Sequence, residues 1–298
     1  MHAVRANLLF ILSMAMFALE DFFIKRLTGS VPPGQVLLVL GLGGSLFFAL
    51  PALRTRDNLF PPVRPHITLY LRTLGEGFCA IFIVLSLSKV PLATFATTFQ
   101  AVPLVVTVGA ALFLREQVGW RRWLAIVIGF AGVLLIIRPG ASGFEGGSLL
   151  VLAAVVAISM RDIVSRRLPA HIPTRVVAFQ GFFSLVLAGP VLSLSLGHRL
   201  VMPVPTDWMF LAATITVGVI GYRSMVIAMR IGEVSALAPF RYTRMVFALV
   251  LGIALLGERP DLLTYAGAAL IIVTGLYTYV REQRLARKVA PRSTSETA

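Results

Sequence analysis

The stretch LLFILSMAMFALEDFFIKRL, residues 8–27, returns later in the chain as LLVLAAVVAISMRDIVSRRL, residues 149–168. At this offset of 141 residues, Asp21 matches Asp162, and both stretches end in a basic pair followed by leucine. Composition alone does not explain so long a match. We therefore expect the chain to contain a duplication.

A second match supports the duplication. ALFLREQ lies over ALLGER at an offset of 142, which aligns Glu116 with Glu258. The two matches lie near the beginning and near the end of each half of the chain. They predict a first repeat over residues 1–140, a second over 147–281, and a basic, polar tail over 282–298.

The composition identifies the solvent of this chain as lipid. Hydrophobic residues make up 57% of the 298 residues, charged residues only 13%, and the mean hydropathy is +0.87, which excludes a water-soluble surface. A membrane span needs roughly 20 apolar residues. Reading between charges and Pro or Gly breaks gives ten predicted spans, at about 6–24, 34–53, 68–87, 92–114, 120–137, 148–164, 175–196, 207–229, 235–256 and 262–280.

Span number and charge placement set the topology. Each repeat holds five spans, an odd number, so the two repeats insert with opposite orientation. With both termini inside, sixteen Lys and Arg residues fall in inside segments and six in outside segments. The positive-inside rule therefore predicts that both termini are cytoplasmic. We expect the protein to lie in the cytoplasmic (inner) membrane. The charge of +14 lies between apolar runs, so we interpret it as topological and expect no nucleic-acid partner.

Several diffuse motifs carry a family resemblance. Each half has a Gly/Ala-rich fourth helix that ends in Glu and a Gly-rich fifth helix, which reads GVLLIIRPG in the first half; FALEDFFIKRL, PPGQ, ALRTR and GWRRW also contribute. Over about residues 6–280 the chain resembles the EamA family of the drug/metabolite transporter superfamily, and in particular its transporters of amino acids and other small metabolites. The resemblance implies an all-α, polytopic membrane fold: ten transmembrane helices as two inverted repeats around a central cavity. That cavity would be lined chiefly by helices 1, 3, 4, 6, 8 and 9 and would work by alternating access.

Ionisable groups inside the predicted spans are the candidate functional residues. One charge at the bilayer centre costs roughly 2.5 to 3.5 kcal/mol, so intramembrane charges must pair, snorkel or line water. Five arginines lie in such positions: Arg72, Arg161, Arg223, Arg241 and Arg244. We expect Arg72 and Arg161 to snorkel, because they lie near a cytoplasmic end, and Arg223 to bind substrate or act as an anchor.

Glu76 stands between Gly75 and Gly77 and one turn from Arg72. It faces the cavity, pairs with Arg72 within the helix, or does both. Arg241 and Arg244 are three residues apart and follow Pro239, so they could share a face and hold a carboxylate or phosphate bidentately. The alternative is a salt bridge to Glu76, Glu233 or Asp162.

The remaining candidates are aromatic, amide and acidic. At an offset of 142, Phe99 and Gln100 correspond to Arg241 and Tyr242, so the two halves supply unlike chemistry at equivalent places, and Tyr222 adds to this set. Carboxylates stand in the first and sixth spans and could bind an amino group or a coupling proton, or complete a structural network: Glu20, Asp21 and Asp162.

These residues predict a secondary transporter. No GxxxxGK[ST], HExxH or GxSxG motif occurs, and the four histidines are scattered, so we expect no enzyme, no cofactor and no metal. The leading interpretation is export of small polar metabolites, most specifically amino acids, with arginine on the carboxylate and Glu76 or an Asp on the ammonium group. Anionic or phosphorylated metabolites, or nucleoside-type compounds, taken up or exchanged, are the alternative, and a structural subunit is the least favoured one. The partners are a small-molecule substrate, the lipid bilayer and a coupling proton, and the protein is a monomer or a homodimer.

Overall fold

The computed structural model describes residues 2–113, 115, 119–138, 146–169, 171–231 and 237–289. Within these ranges every regular element is a helix. Their bounds are α1 (His2–Leu27), α2 (Pro33–Arg54), α3 (Ile67–Lys89), α4 (Leu92–Phe99), α5 (Val102–Phe113), α6 (Trp120–Ile137), α7 (Gly147–Ser165), α8 (Thr174–Ser195), α9 (Pro205–Ile231), a 3₁₀-helix (Ala238–Tyr242), α10 (Thr243–Leu256) and α11 (Leu262–Val289).

These helices match the ten predicted spans. In the described residues nine stretches are long and apolar enough to cross a membrane, and a shorter apolar helix, Trp123–Ile137, lies at the fifth predicted span. Large apolar side chains are exposed along their outer faces, Leu46, Leu112 and Leu194 among them. A polytopic all-helical membrane protein is therefore confirmed.

The fourth and ninth spans differ from the single helices that the sequence predicts. The fourth divides into α4 and α5 because Pro103 has no N–H and its ring clashes with the carbonyl of Phe99, four residues earlier. The ninth begins as a 3₁₀-helix with Pro239 in its first turn and then continues as α10. Both irregular segments lie within the membrane region, where a break requires nearby polar partners.

The helices pair across the two repeats with two-fold symmetry. α2 packs on α8 and α6 on α11, while α1 packs on α9 as α3 packs on α7. Glycines allow these close crossings: a Cβ on Gly41 would lie 2.9 Å from Leu185 Cβ, and one on Gly44 would overlap the ring of Phe182. The offset of 141 carries 41 to 182 and 44 to 185, so the two contacts are symmetry mates. The inverted duplication is thus visible in the packing.

Polar contacts tie the loops together on both faces. We call the face where α1 begins and α11 ends the termini face, and the opposite one the far face. On the termini face, the α2–α3 loop joins α8, because Asp57 pairs with Arg175 and Gln180 donates to the carbonyl of Leu59 at 2.7 Å. The Arg175 guanidinium holds the pKa of Asp57 at about 2, below its usual 3.8.

The far face has the corresponding contacts. The Gln35 amide donates to the carbonyl of Val201 at 2.7 Å and accepts from its N–H at 3.0 Å. Asp261 pairs with Arg138 and also accepts from Thr264, and these bonds hold its pKa at about 2.

Candidate substrate site

A four-residue ionic network joins α3 to α7. Glu76 lies 3.1 Å from Arg72 one turn below it, and both of its oxygens accept from Arg161 Nη1, at 2.9 and 3.0 Å. Arg161 also donates to its neighbour Asp162 at 2.5 Å. The close approach depends on Gly75, because a Cβ there would lie 3.2 Å from Arg161 Cβ.

The expectation that Arg72 and Arg161 snorkel is wrong. Arg72 is only 7% exposed and Arg161 only 19% at its side chain. Both turn inward because Glu76 supplies a carboxylate between them, and a paired charge inside the bundle does not need the interface. The pairing of Glu76 with Arg72 at i, i+4 is present as one of the two predicted arrangements.

Arg72 has one amino group left over. Its Nη1 is buried and has no hydrogen-bond partner among the described residues, and Gly181 of α8 leaves space beside it. Tyr222 interacts electrostatically with Arg72, Glu76 and Arg161, and its ring packs edge-on against Phe48. The network thus meets an aromatic surface of α2 and α9.

A second ion pair joins α1 to α10. Arg244 Nη2 lies 2.8 Å from both oxygens of Asp21, and Arg244 Nε lies 3.0 Å from one of them. The guanidinium carbon also lies 5.5 Å from the ring centre of Phe17 and 5.0 Å from that of Phe99. Arg244 is therefore held by a bidentate carboxylate and by two aromatic rings. Its partner is not one of the three carboxylates that the sequence suggested.

Glu20 is the exception in this region. It is half-buried in α1, and no described residue forms a hydrogen bond or an ion pair with its carboxylate. Its charged neighbours are Asp21, Arg244 and Glu76, and only Arg244 is attractive. Gly218 of α9 lies directly against it, since a Cβ there would be 2.7 Å from Glu20 Oε1.

The duplication explains why Glu20 lacks a partner. Glu20 and Arg161 occupy the same position in the two repeats, and each lies against a glycine of the opposing helix, Gly218 and Gly75 respectively. The residue after Gly75 is Glu76, which neutralises Arg161. The residue after Gly218 is Val219, which cannot pair with a carboxylate.

The other predicted residues take different places. Gln100 is buried, and its side chain has no hydrogen bond with the described residues. Tyr242 packs against Gly275 of α11, while Arg241 is exposed and interacts electrostatically with Tyr242. Arg223 is exposed and lines an outer apolar groove between α2 and α9, away from the network. Glu116 and Glu233 lie outside the described residues.

The structure therefore brings most of the candidates together. Electrostatic contacts and ion pairs connect one polar cluster between the repeats, formed by Glu20, Asp21, Arg72, Glu76, Arg161, Asp162, Tyr222 and Arg244. It holds three guanidinium and four carboxyl groups. With Glu20 ionised, the cluster carries one unbalanced negative charge.

Sequence reasoning missed two features. Phe17 stacks on Arg244, although nothing distinguishes it from neighbouring apolar residues in the sequence. His66 and His171, from separate loops, lie with their Nε2 atoms 3.3 Å apart. In the described residues no group of three or more His, Cys, Asp or Glu side chains could hold a metal ion.

Similar proteins are membrane transporters. The S-adenosylmethionine uptake transporter of Rickettsia bellii is 23% identical over 279 residues, which cover 94% of each chain. The pseudopaline exporter of Pseudomonas aeruginosa is 23% identical over 267 residues, covering 89% of this chain and 93% of its own. A crystal structure of another protein has the same fold, with a TM-score of 0.65, 22% identity, and coverage of 95% of this chain and 99% of its own.

A family model matches both halves of the chain. The EamA-like transporter family matches the chain twice, over residues 4–138 and 145–280, so that each repeat is one copy of the domain. The family and these relatives are transporters and not enzymes. The chain is therefore a multi-pass membrane protein for small-metabolite transport, and it belongs to the EamA-like transporter family.

Proposed function

We propose that the chain is a secondary transporter that moves small polar metabolites with an amino group, most specifically amino acids, across the cytoplasmic membrane by alternating access. The unpaired carboxylate of Glu20, next to the Asp21–Arg244 pair, is the observation that carries this proposal. In this proposal residues 1–140 and 147–281 are the two moving halves. Both termini are cytoplasmic, including the tail of residues 282–298, and the direction is export.

The Asp21–Arg244 pair resembles a bound substrate group. Arg244 already holds a carboxylate in bidentate geometry between two rings, which is how a protein recognises a free carboxylate. An incoming amino acid would place its own carboxylate on Arg244. Asp21, released from Arg244, would then join Glu20 around the ammonium group. In this exchange each charged group of the substrate meets an oppositely charged group of the protein, and the net charge of the cluster does not change.

Glu20 also offers a route for coupling. The chain has no ATP-binding motif of the GxxxxGK[ST] type, so in this proposal an ion gradient drives transport. Carboxyl groups inside membrane proteins commonly carry protons across the bilayer. A proton and the substrate ammonium group would compete for Glu20, and that competition would couple their movements.

A second candidate substrate is a cationic metabolite without a carboxylate, such as a sulfonium compound. The unbalanced negative charge of the cluster favours it, and the Rickettsia relative is described as a transporter of S-adenosylmethionine. Anionic or phosphorylated metabolites fit less well, because Arg161 and Arg244 are engaged by carboxylates of the chain itself.

Counterflow in proteoliposomes tests these alternatives with matched compounds. We expect a labelled amino acid to exchange, its N-acetyl derivative and phosphate esters not to compete, and the corresponding amine to compete weakly. Glu20→Gln should raise KM about tenfold or more, since it removes the carboxylate that gives the cluster its unbalanced negative charge. Asp261→Asn, a similar change outside the cluster, should leave KM unaltered. Competition by phosphate esters alone would contradict the proposal, and competition by sulfonium compounds alone would select the second candidate.

A further inference from the structure

Two charged side chains from other helices form hydrogen bonds with the turn between α3 and α4 on the far face. Lys25 Nζ, from α1, donates to the carbonyls of Leu87 and Val90 at 3.2 and 2.7 Å. Glu258, from the end of α10, accepts from the N–H groups of Leu92 and Ala93 at 2.6 and 2.9 Å. A cation thus lies on the carbonyl end of α3, and a carboxylate lies on the amide end of α4.

Each contact matches the electrostatics of its helix end. The last carbonyls of a helix carry partial negative charge and the first N–H groups partial positive charge, and neither set has a partner within the helix. Leu92 and Ala93 are almost fully buried, and the residue before them, Pro91, has no side-chain cap to offer. Glu258 is therefore the cap of α4, supplied by the other repeat.

The path of the chain directs Glu258 to this place. α10 ends at Leu256, and the next residue, Gly257, has a φ of 66° that turns the backbone. The N–H of Glu258 then donates to the carbonyl of Gly252 at 3.0 Å. A Cβ at Gly252 would lie 2.7 Å from Glu258 Oε2, so the absence of a side chain there makes room for the carboxylate.

We propose that Glu258 is a positioning residue that closes the far face of the transporter by locking the α3–α4 turn to the second repeat. α3 carries Glu76, and Phe99 ends α4, so the turn joins the two helices that carry these candidate substrate residues. Opening the far face requires α4 to separate from α10, and this separation breaks both bonds to Glu258. The inference rests on the alternating access of the proposed function, but not on the identity of the substrate.

The accessibility of the single cysteine of the chain can show whether the far face is open. Cys79 lies on α3, is 2% exposed, and has Glu76, Arg161 and Arg244 among its charged neighbours. It therefore becomes accessible only when the centre of the bundle opens. A positively charged, membrane-impermeant methanethiosulfonate reagent can be added to either side of membranes that contain the full chain.

Glu258→Gln is the principal variant. We expect the reagent to label Cys79 about tenfold faster from the far face than in the unmodified protein, since the amide is a weaker acceptor than the carboxylate. Labelling from the termini face should not increase. Glu258→Asp, which keeps the charge but shortens the reach, should give an intermediate rate, and Cys79→Ala should abolish labelling.

Asp261→Asn is the matched control. Asp261 stands in the same loop and also caps a helix, but its bonds go to Arg138 and Thr264 and not to the α3–α4 turn. In Asp261→Asn, Cys79 should be labelled at the same rate as in the unmodified protein. Unchanged labelling in Glu258→Gln, or an equal increase in Asp261→Asn, would overturn the proposal. Lys25→Gln, measured in parallel, should also accelerate labelling from the far face if Glu258→Gln does not fold.

These labelling rates are independent of substrate transport. If Glu258→Gln speeds labelling from the far face while no amino acid exchanges in counterflow, the role of Glu258 is supported and the proposed substrate is contradicted. If amino acids exchange but labelling is unaltered, the proposed substrate is supported and the role of Glu258 is contradicted.

Discussion

The two repeats share a scaffold but carry opposite charges at the same position. In the second repeat Arg161 faces α3, and Glu76 neutralises it at 2.9 Å. In the first repeat Glu20 faces α9, where Gly218 lies against it and the residue after this glycine is the uncharged Val219. The symmetrical packing therefore builds one closed ion pair and one unsatisfied carboxylate. The same packing geometry thus surrounds a paired charge in one repeat and an unpaired charge in the other.

A neighbouring pair of positions shows the same divergence. Asp21 and Asp162 are equivalent, but Asp21 pairs with Arg244 of α10, whereas Asp162 pairs with the adjacent Arg161. At the offset of 142 the counterpart of Arg244 is Val102, which offers no charge. Each repeat thus lacks, at the equivalent position, the charged residue that the other repeat uses in an ion pair. The ion pairs between the repeats are therefore not related by the two-fold symmetry.

The largest effect should come from replacing Glu76, the carboxylate that pairs with both Arg72 and Arg161. Glu76→Gln leaves Arg72 and Arg161 without their shared partner, and we expect the free energy of unfolding to fall by about 3 kcal/mol, as when a buried pair is broken. Glu20→Gln removes an unpaired charge and should leave stability unchanged or raise it. Thermal unfolding in detergent measures both. An equal loss in the two variants would contradict the distinction between the repeats.

The Asp21–Arg244 pair should show strong coupling. We expect a double-mutant cycle of Asp21→Ala and Arg244→Ala to give a coupling free energy of about 2 kcal/mol, because either single change strands the other charge. Unfolding in detergent supplies the four free energies. Arg223→Ala combined with Asp21→Ala should be additive, since Arg223 lies in the outer groove. Additivity in the first cycle would mean that the pair contributes no net energy.

Two glycines allow a matched comparison of the repeats. Gly218→Ala places a methyl group 2.7 Å from Glu20 Oε1 and should displace this carboxylate, raising KM about tenfold. Gly75→Ala brings the methyl group 3.2 Å from Arg161 Cβ and should change stability more than KM. Transport kinetics and thermal unfolding of both variants check this. A KM effect confined to Gly75→Ala would reverse the assignment of the two sites.

The smallest effect concerns a pair outside the cluster. The pKa of Asp57 is lowered in the folded state, from 3.8 to about 2, so the Asp57–Arg175 contact contributes stability above pH about 4. That contribution should be lost as the pH falls through about 2. The difference in melting temperature between the protein and Asp57→Asn should therefore be constant at neutral pH and shrink in acid. A difference that changes around pH 6 would point to another titrating group.

Sequence patterns predicted the scaffold better than the pairing. The match of Asp21 to Asp162 and the count of apolar runs were sufficient for two inverted repeats of five spans. The contact of Glu76 with Arg72 was also predictable, because residues four apart on a helix are neighbours. Both features can be read along the sequence without knowledge of how the helices pack.

The partners of the other charges were not predictable in this way. Asp21 and Arg244 are 223 residues apart, and only the packing of α1 against α10 brings them together. Snorkelling was a reasonable expectation for Arg161 from its depth alone, but depth does not reveal which side of a helix faces the bundle. Aligning Glu20 with Arg161 in the two repeats would have indicated the charge reversal. It would not have shown that Glu20 packs against Gly218, which is followed by Val219, a residue that cannot pair with a carboxylate.

The interruption between α4 and α5 affects how specificity can evolve. α4 ends at Phe99, whose ring lies 5.0 Å from the guanidinium carbon of Arg244, so this cation lies beside the last turn of a helix, where the main chain carries partial negative charge. The main chain supplies this potential, and substitution of side chains around it does not remove it. Proteins with this scaffold can therefore differ in the side chains that contact the transported molecule and still keep the partial negative charge at the end of α4.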